Sequence, residues 1–275
     1  MPNTVNFKDL ETKGFLVIPN FLDASILTQI KEHYSKQQEK FKSRLIKNNN
    51  YNIITVDEQF IPEDQLHKLL QKITQETNIV VNLIKPITTY FDNQIVEFGW
   101  HQDHEPYYMW QDSYNAVNCW IPIVKPNPTQ SGISVIPQNS LAQHCPDIFE
   151  SSILGKGAKM LNVQSNGTTL MRDDSEGSST VLPFNINDIA ESLILNEGDL
   201  LILRQDLFHK TQDLVDSRVA ISIRCVNANT VLTRDKFING CERKHNMIKN
   251  NQSGFAKLKQ KFINENLETI LLRDL

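Results

Sequence analysis

No apolar run in this 275-residue chain approaches the ~20 residues that a membrane-spanning helix requires. The opening stretch, MPNTVNFKDLETKG, is polar where a signal peptide carries an apolar centre, so a cytoplasmic protein without a membrane partner is expected. Lys and Arg never form more than short basic pieces such as CERKHNMIKN, and the net charge is −4. The electrostatic footprint of a nucleic-acid binder is therefore missing. Only four cysteines occur, Cys119, Cys145, Cys225 and Cys241, far apart and with no C-x-x-C pair. That argues against a disulfide framework and for reduced thiols buried as small hydrophobes. Internal repeats, low-complexity tracts and a Pro/Gly linker are also lacking, which leaves nothing to cut the chain in two. What is present is ordinary globular composition, 40% hydrophobic and 8% aromatic, in a chain long enough to bury a substantial core.

The periodicity changes along the chain. GFLVIPNFL, at 14–22, is a short strand ended by Pro19, and Asp23 is placed to cap a helix with Ile26, Leu27, Ile30 and Tyr34 on one stripe. A second helix is expected from Pro62 to the residue before Pro86, burying Leu66, Leu69, Leu70, Ile73, Val80, Val81 and Ile84. From Ile87 the period becomes strand-like, with β segments at 87–97, 116–124, 133–137, 192–195, 199–205 and 218–226. A final amphipathic helix carries Phe255, Leu258, Phe262, Leu267, Ile270 and Leu271. The pattern predicts an α+β fold: a jelly-roll-like barrel flanked by N- and C-terminal helices. The organisation expected is a single domain, 1–275, with helical support at 1–86, a barrel core at 87–226 and a C-terminal helical segment at 227–275. Within the core, 145–190 is polar and Gly/Ser-rich and reads as a lid-like insertion.

Against this background the stretch GWHQDHEPYY, at 99–108, stands out. Side chains on a strand alternate faces, so His101 and Asp103 point the same way and Gln102 points elsewhere. An imidazole and a carboxylate on one face suit a divalent first-row metal, but a third ligand is needed from elsewhere. His33 and His67 lie on helices, and His144 and His245 lie in polar loops with no strand to aim them. His209, at the end of the β segment after GDLLIL, is the remaining candidate. Two histidines and one carboxylate leave one side of a metal open, the arrangement of non-haem Fe(II) oxygenases. A zinc hydrolase is less well served, because its tetrahedral site keeps one open position and wants a general base.

The strand after His209, RVAISIRC, alternates strictly. Val219, Ile221, Ile223 and Cys225 form one apolar face, with Arg218, Ala220, Ser222 and Arg224 on the other. If the apolar face packs against helices, Arg218 looks into the barrel, where its planar fork would hold a carboxylate.

Together WHQD, Trp120, QSGISVIPQNS, GDLLIL, His209 and Arg218 resemble the phytanoyl-CoA dioxygenase (PhyH) family of Fe(II)/2-oxoglutarate oxygenases. The resemblance covers most of the chain. It implies a double-stranded β-helix core, Fe(II) on His101, Asp103 and His209, and the distal carboxylate of 2-oxoglutarate on Arg218. Thr211 and Trp120 match positions beside that cosubstrate, and Ser222, on the face of Arg218, joins them. Family members commonly carry Gly-Gly where this chain has Ser131-Gly132. The implied reaction consumes O2 and 2-oxoglutarate, releases succinate and CO2, and usually hydroxylates an unactivated C–H. Related halogenases replace the carboxylate ligand with Gly or Ala, so Asp103 favours oxygenation.

For the substrate, Gln102, His104, Tyr107, Tyr108 and Trp110 are polar or aromatic candidates near the metal, and Arg172, Arg204 and Arg224 could meet an anionic group. With no basic cluster for a CoA moiety, a small polar metabolite is expected, either a free amino acid or a natural product such as a guanidino alkaloid. Two other readings share the barrel: a cupin-like, non-redox metalloenzyme and a carbohydrate-binding jelly roll with a relict metal site.

Overall fold

The computed structural model of the chain describes residues 5–41, 52–55, 63–93, 98–103, 116–153, 158–173, 177–212, 215–216, 218–250 and 252–275. The described strands are β1 (Phe15–Ile18), β2 (Asn52–Thr55), β3 (Asn82–Asn93), β4 (Ala116–Val124), β5 (Ile133–Val135), β6 (Lys159–Val163), β7 (Thr169–Asp173), β8 (Ser179–Leu182), β9 (Glu191–Ser192), β10 (Leu200–Arg204), β11 (His209–Thr211), β12 (Arg218–Val226), β13 (Val231–Thr233) and β14 (Thr269–Leu271). Six of them form one antiparallel sheet in the order β1-β10-β4-β12-β3-β2. A second sheet faces it. There β11-β5-β9 and β6-β7-β8 are joined through His101, which bridges His209 on one side and Met160 on the other. Strands distant in sequence lie side by side in both layers, as a double-stranded β-helix requires.

Alternation decides what each face buries. On β4, β10 and β12 one set of residues, Val117, Cys119, Ile121, Ile123, Leu200, Ile202, Val219, Ile221, Ile223 and Cys225, packs outward with Leu10, Ile30, Tyr34, Leu66, Leu70 and Ile73. These come from the helices α1 (Asp9–Thr12), α2 (Ala24–Phe41) and α3 (Glu63–Glu76). The opposite set, Trp120, Leu201, Leu203 and Ala220, fills the barrel with Phe15, Val135, Leu195 and Leu207. Asp23 caps α2 as its position suggested, its Oδ1 accepting from Ser25 N at 3.0 Å and Ile26 N at 2.9 Å.

Three expectations need correction. The helix from Pro62 towards Pro86 ends at Glu76, and β3 runs through Pro86. Ile87 opposes Arg224 while Asn82 opposes Val226, so five residues of β3 match two of β12, and Pro86 sits in that irregularity, where a missing N–H is tolerated. Val80, assigned to the buried face, is exposed. The C-terminal helix is not continuous either: Gln252–Lys259 is followed by one π-helical turn, Gln260–Asn264, and then by β14, which pairs with β13. Asn266, with φ 55°, takes the left-handed conformation that ends helices. The described part of 145–190, expected as a lid-like insertion, has regular structure. It holds the helix Pro146–Ser152 and the β6-β7-β8 sheet, an extension of the second sheet that abuts a metal-ligand candidate.

Candidate metal centre

His101 and His209 oppose each other across the second sheet and exchange both backbone hydrogen bonds, each at 3.0 Å. Closely paired residues of an antiparallel ladder present neighbouring side chains, and the two imidazole centroids lie 4.4 Å apart. Each ring is oriented by a main-chain carbonyl: His101 Nδ1 is 2.7 Å from Gly99 O and His209 Nδ1 is 2.9 Å from Leu207 O. A carbonyl can only accept, so each Nδ1 donates and Nε2 is left as the atom each ring can offer a metal. Asp103 follows on the same face, with its N–H donating to Gln205 O at 3.2 Å.

One ligand atom from each of His101, Asp103 and His209 lies within 4.8 Å of the others. Asp103 divides its carboxylate: Oδ1 is 3.9 Å from His209 Nε2, and Oδ2 accepts from Arg224 Nη1 at 3.1 Å. Burial pushes the carboxyl pKa up, but Arg224, His209 and His101 outweigh it and hold the value at about 2. Two imidazoles and a carboxylate held ionised at neutral pH, arranged on one side, fit a divalent first-row metal with open positions opposite.

Arg218 is buried on the strand beyond His209. Its Nη1 donates to Ser131 O at 3.0 Å and Gly132 O at 2.8 Å, its Cζ lies 5.3 Å from the centroid of the Trp120 ring, and among the described residues its Nε has no partner. Ser131 has φ 53°, a left-handed turn that glycine adopts more easily. The serine is compensated, since its Oγ accepts from Val215 N and Asp216 N, both at 3.1 Å. A second cation lies alongside. Lys125 is buried, with its Nζ donating to Asn127 O at 2.7 Å, and burial followed by the charge of Arg218 draws its pKa down to about 8. Two neighbouring desolvated cations and an unpaired guanidinium N–H fit a carboxylate ligand.

The remaining sequence candidates fall into separate groups. Thr211 is buried on β11, two residues past His209, and its Oγ1 accepts from Phe98 N at 3.2 Å. Ser222 is buried and donates to Asn118 Oδ1 at 2.7 Å. Arg224 donates to Asp103 Oδ2. Gln102 is not turned to a ligand: its Nε2 donates to Ser152 O and Asp206 O, and its Oε1 accepts from Lys159 N at 3.0 Å. Arg204 is paired with Asp206 through Nε, at 3.0 Å, and Nη2. Arg172 is exposed on β7. His104, Tyr107, Tyr108 and Trp110 lie outside the described residues. Lys125, Asn118 and Gln205 were missed from sequence. Lys125 and Gln205 carry no motif, and Asn118 was recoverable only as a polar residue on the face of Trp120.

A family model for phytanoyl-CoA dioxygenase (PhyH) matches residues 10–148, just over half of the chain. The chain belongs to this family. Among solved structures, this PhyH-family chain is similar in fold to EvdO2 from Micromonospora carbonacea var. aurantiaca complexed with 2-oxoglutarate, with 10% identity and a TM-score of 0.52 over 88% of this chain and 96% of that one. It is also similar to the non-heme alpha ketoglutarate dependent carbocyclase SnoK from nogalamycin biosynthesis, with 12% identity and a TM-score of 0.50 over 81% and 83% of the two chains. No curated protein matches the sequence at a significant level. The fold is that of the PhyH-like double-stranded β-helix enzymes.

Proposed function

We propose that this enzyme is a single-domain Fe(II)/2-oxoglutarate-dependent dioxygenase that hydroxylates an unactivated C–H of a small polar metabolite. The observation that carries this is one juxtaposition: a two-His, one-Asp set with both Nε2 atoms converging, beside a buried guanidinium whose Nε is unpaired. His101, Asp103 and His209 would hold Fe(II). Arg218 would take the distal carboxylate of 2-oxoglutarate, with Thr211, Trp120, Ser222 and Lys125 around the cosubstrate. Bound together with O2, iron and 2-oxoglutarate would supply the oxidising power that removes hydrogen from carbon, with release of succinate and CO2. The protein's own part is positioning. Main-chain carbonyls fix the two imidazole tautomers, Arg224 fixes Asp103, and the apolar interior around Trp120, Leu201 and Leu203 keeps water from the charged groups. A cupin-like enzyme or a sugar-binding jelly roll has no use for the Arg218–Lys125 pair.

Anaerobic titration of Fe(II) and 2-oxoglutarate, read by the visible charge-transfer band and then by succinate release on admitting O2, tests the proposal. In wild type the band requires both components; His209→Ala and Asp103→Ala abolish it. Arg218→Lys keeps the metal but weakens 2-oxoglutarate by about 2 kcal/mol, roughly thirtyfold. A His209→Ala protein that retains the band overturns the ligand set, and an unchanged cosubstrate affinity in Arg218→Lys overturns the carboxylate site.

A further inference from the structure

We infer that Gln205 reads the substrate, and that the group it reads is an amide edge, the N–H and C=O of a lactam or primary carboxamide. The inference rests on the oxygenase reading, because it takes the substrate to lie beyond the metal from Arg218.

The interior face of the large sheet is layered by register. Leu201 opposes Trp120, and Trp120 opposes Ser222; this is the layer beside Arg218. Leu203 opposes Asn118, and Asn118 opposes Arg224; Arg224 reaches Asp103, so this layer is level with the metal ligands. One step further, Gln205 N donates to Ala116 O at 3.3 Å, and Ala116 opposes Val226. Ala116 and Val226 pack against Leu232, Phe237, Phe255 and Phe262 of the C-terminal segment. Gln205 therefore occupies the layer between the metal and the apolar cover of the barrel, on the side away from the proposed 2-oxoglutarate carboxylate.

Its side chain faces inward. Arg204 and Asp206, its neighbours, pair with each other on the opposite face, while Leu201 and Leu203, four and two residues before it, line the interior. Gln205 is 2% exposed, yet among the described residues neither Nε2 nor Oε1 has a hydrogen-bond partner. A buried primary amide with both ends unmatched costs stability, and binding sites are where such groups are retained. Its donor and acceptor lie side by side in one plane. A cis amide or primary carboxamide satisfies both at once; a carboxylate, which only accepts, leaves Oε1 unmatched, and a guanidinium, which only donates, leaves Nε2 unmatched. Ala116 and Val226, in the same layer, are apolar. Among the substrates expected from sequence, a guanidino compound is thus disfavoured against an amide-bearing one.

The test uses full-length protein loaded with Zn(II), which does not react with O2, and 2-oxoglutarate. Ligand-observed NMR titrations compare δ-valerolactam with N-methyl-δ-valerolactam and δ-valerolactone, which keep the ring but lose the N–H. Wild type should bind the lactam at least tenfold tighter than either analogue. Gln205→Leu and Gln205→Met should lose that preference while keeping wild-type affinity for metal and 2-oxoglutarate. Both substitutions should also raise the Tm of the ligand-free protein by about 2–4 °C, because they remove an unmatched buried amide. The inference is overturned if wild type does not bind the lactam saturably, if the preference survives in both variants, or if both variants lower Tm, which would make Gln205 a structural residue. A wild-type protein that binds neither metal nor 2-oxoglutarate overturns the oxygenase reading instead.

Discussion

Arg224 and Lys125 act through the charges of their neighbours. Arg224 contributes one hydrogen bond to the Asp103 oxygen turned away from His209, so it orients a ligand without occupying a coordination position. Such outer contacts typically govern metal affinity by 10–100-fold. Arg224→Met, which keeps the stem and loses the fork, is expected to weaken Co(II) binding within that range in competitive chelator titrations, while far-UV circular dichroism stays unchanged. Lys125 gives a pH signature. Its pKa is held at about 8 in the folded protein, so the ammonium is present below that value and lost above it. A carboxylate beside it binds better when the ammonium is charged. Affinity for 2-oxoglutarate should therefore fall as pH rises from 7 to 9 in wild type and stay flat across the same interval in Lys125→Met; calorimetric titration at the two pH values checks this.

At the scale of elements, the centre is assembled from segments that Gln102 ties together. Its side chain joins the H-x-D segment to the end of the Pro146–Ser152 helix, to the start of β6 and to the turn at Asp206. Gln102→Leu strands two carbonyls and an N–H in a fully buried place. The expected loss is about 3 kcal/mol of unfolding free energy, measured by urea denaturation, together with weakened metal binding because His101 and Asp103 flank the residue. A residue placed to touch substrate would show neither effect. Its polar side chain, flanked by two ligands, suggested a ligand contact in the sequence, but alternation sends it to the opposite face, where three backbone groups claim it. The same alternation made β12 legible: Val219, Ile221, Ile223 and Cys225 pack outward and Arg218 inward, because a period of two leaves one choice once one face is apolar.

For the whole molecule, the C-terminal segment is a separate apolar cluster that covers one end of the barrel. Phe262, fully buried in the π-helical turn, packs 5.6 Å, ring to ring, from Phe237 and shares a cluster with Ala116 and Val226. Phe262→Ala should cost about 3–5 kcal/mol through transfer and cavity effects. Because this cluster stands apart from the metal ligands, metal affinity should persist at temperatures where the variant remains folded. Thermal denaturation followed with and without Zn(II) measures both.

The amino-acid sequence alone determined the fold class, the strands β4 and β12 to the residue and the cap at Asp23, and it singled out His101, Asp103, His209 and Arg218 as candidates. The strand period, the cap preference and the His101–Asp103 spacing are local signals, while His209 and Arg218 came from the strand pattern that follows GDLLIL. Tertiary structure alone decided how residues far apart in sequence are matched. It ended α3 at Glu76 and carried β3 through Pro86, because β12 offered a partner strand with an irregularity that accepts proline. It built β6, β7 and β8 from short, mixed stretches whose strand character depends on pairing, with Met160 bridging to His101. It gave Arg224 to Asp103, Arg204 to Asp206 and Lys125 to the neighbourhood of Arg218. The cause is common to all of these: a charged side chain's partner and a strand's neighbour are fixed by desolvation and register across the sheets, and neither is written in the residues next to it.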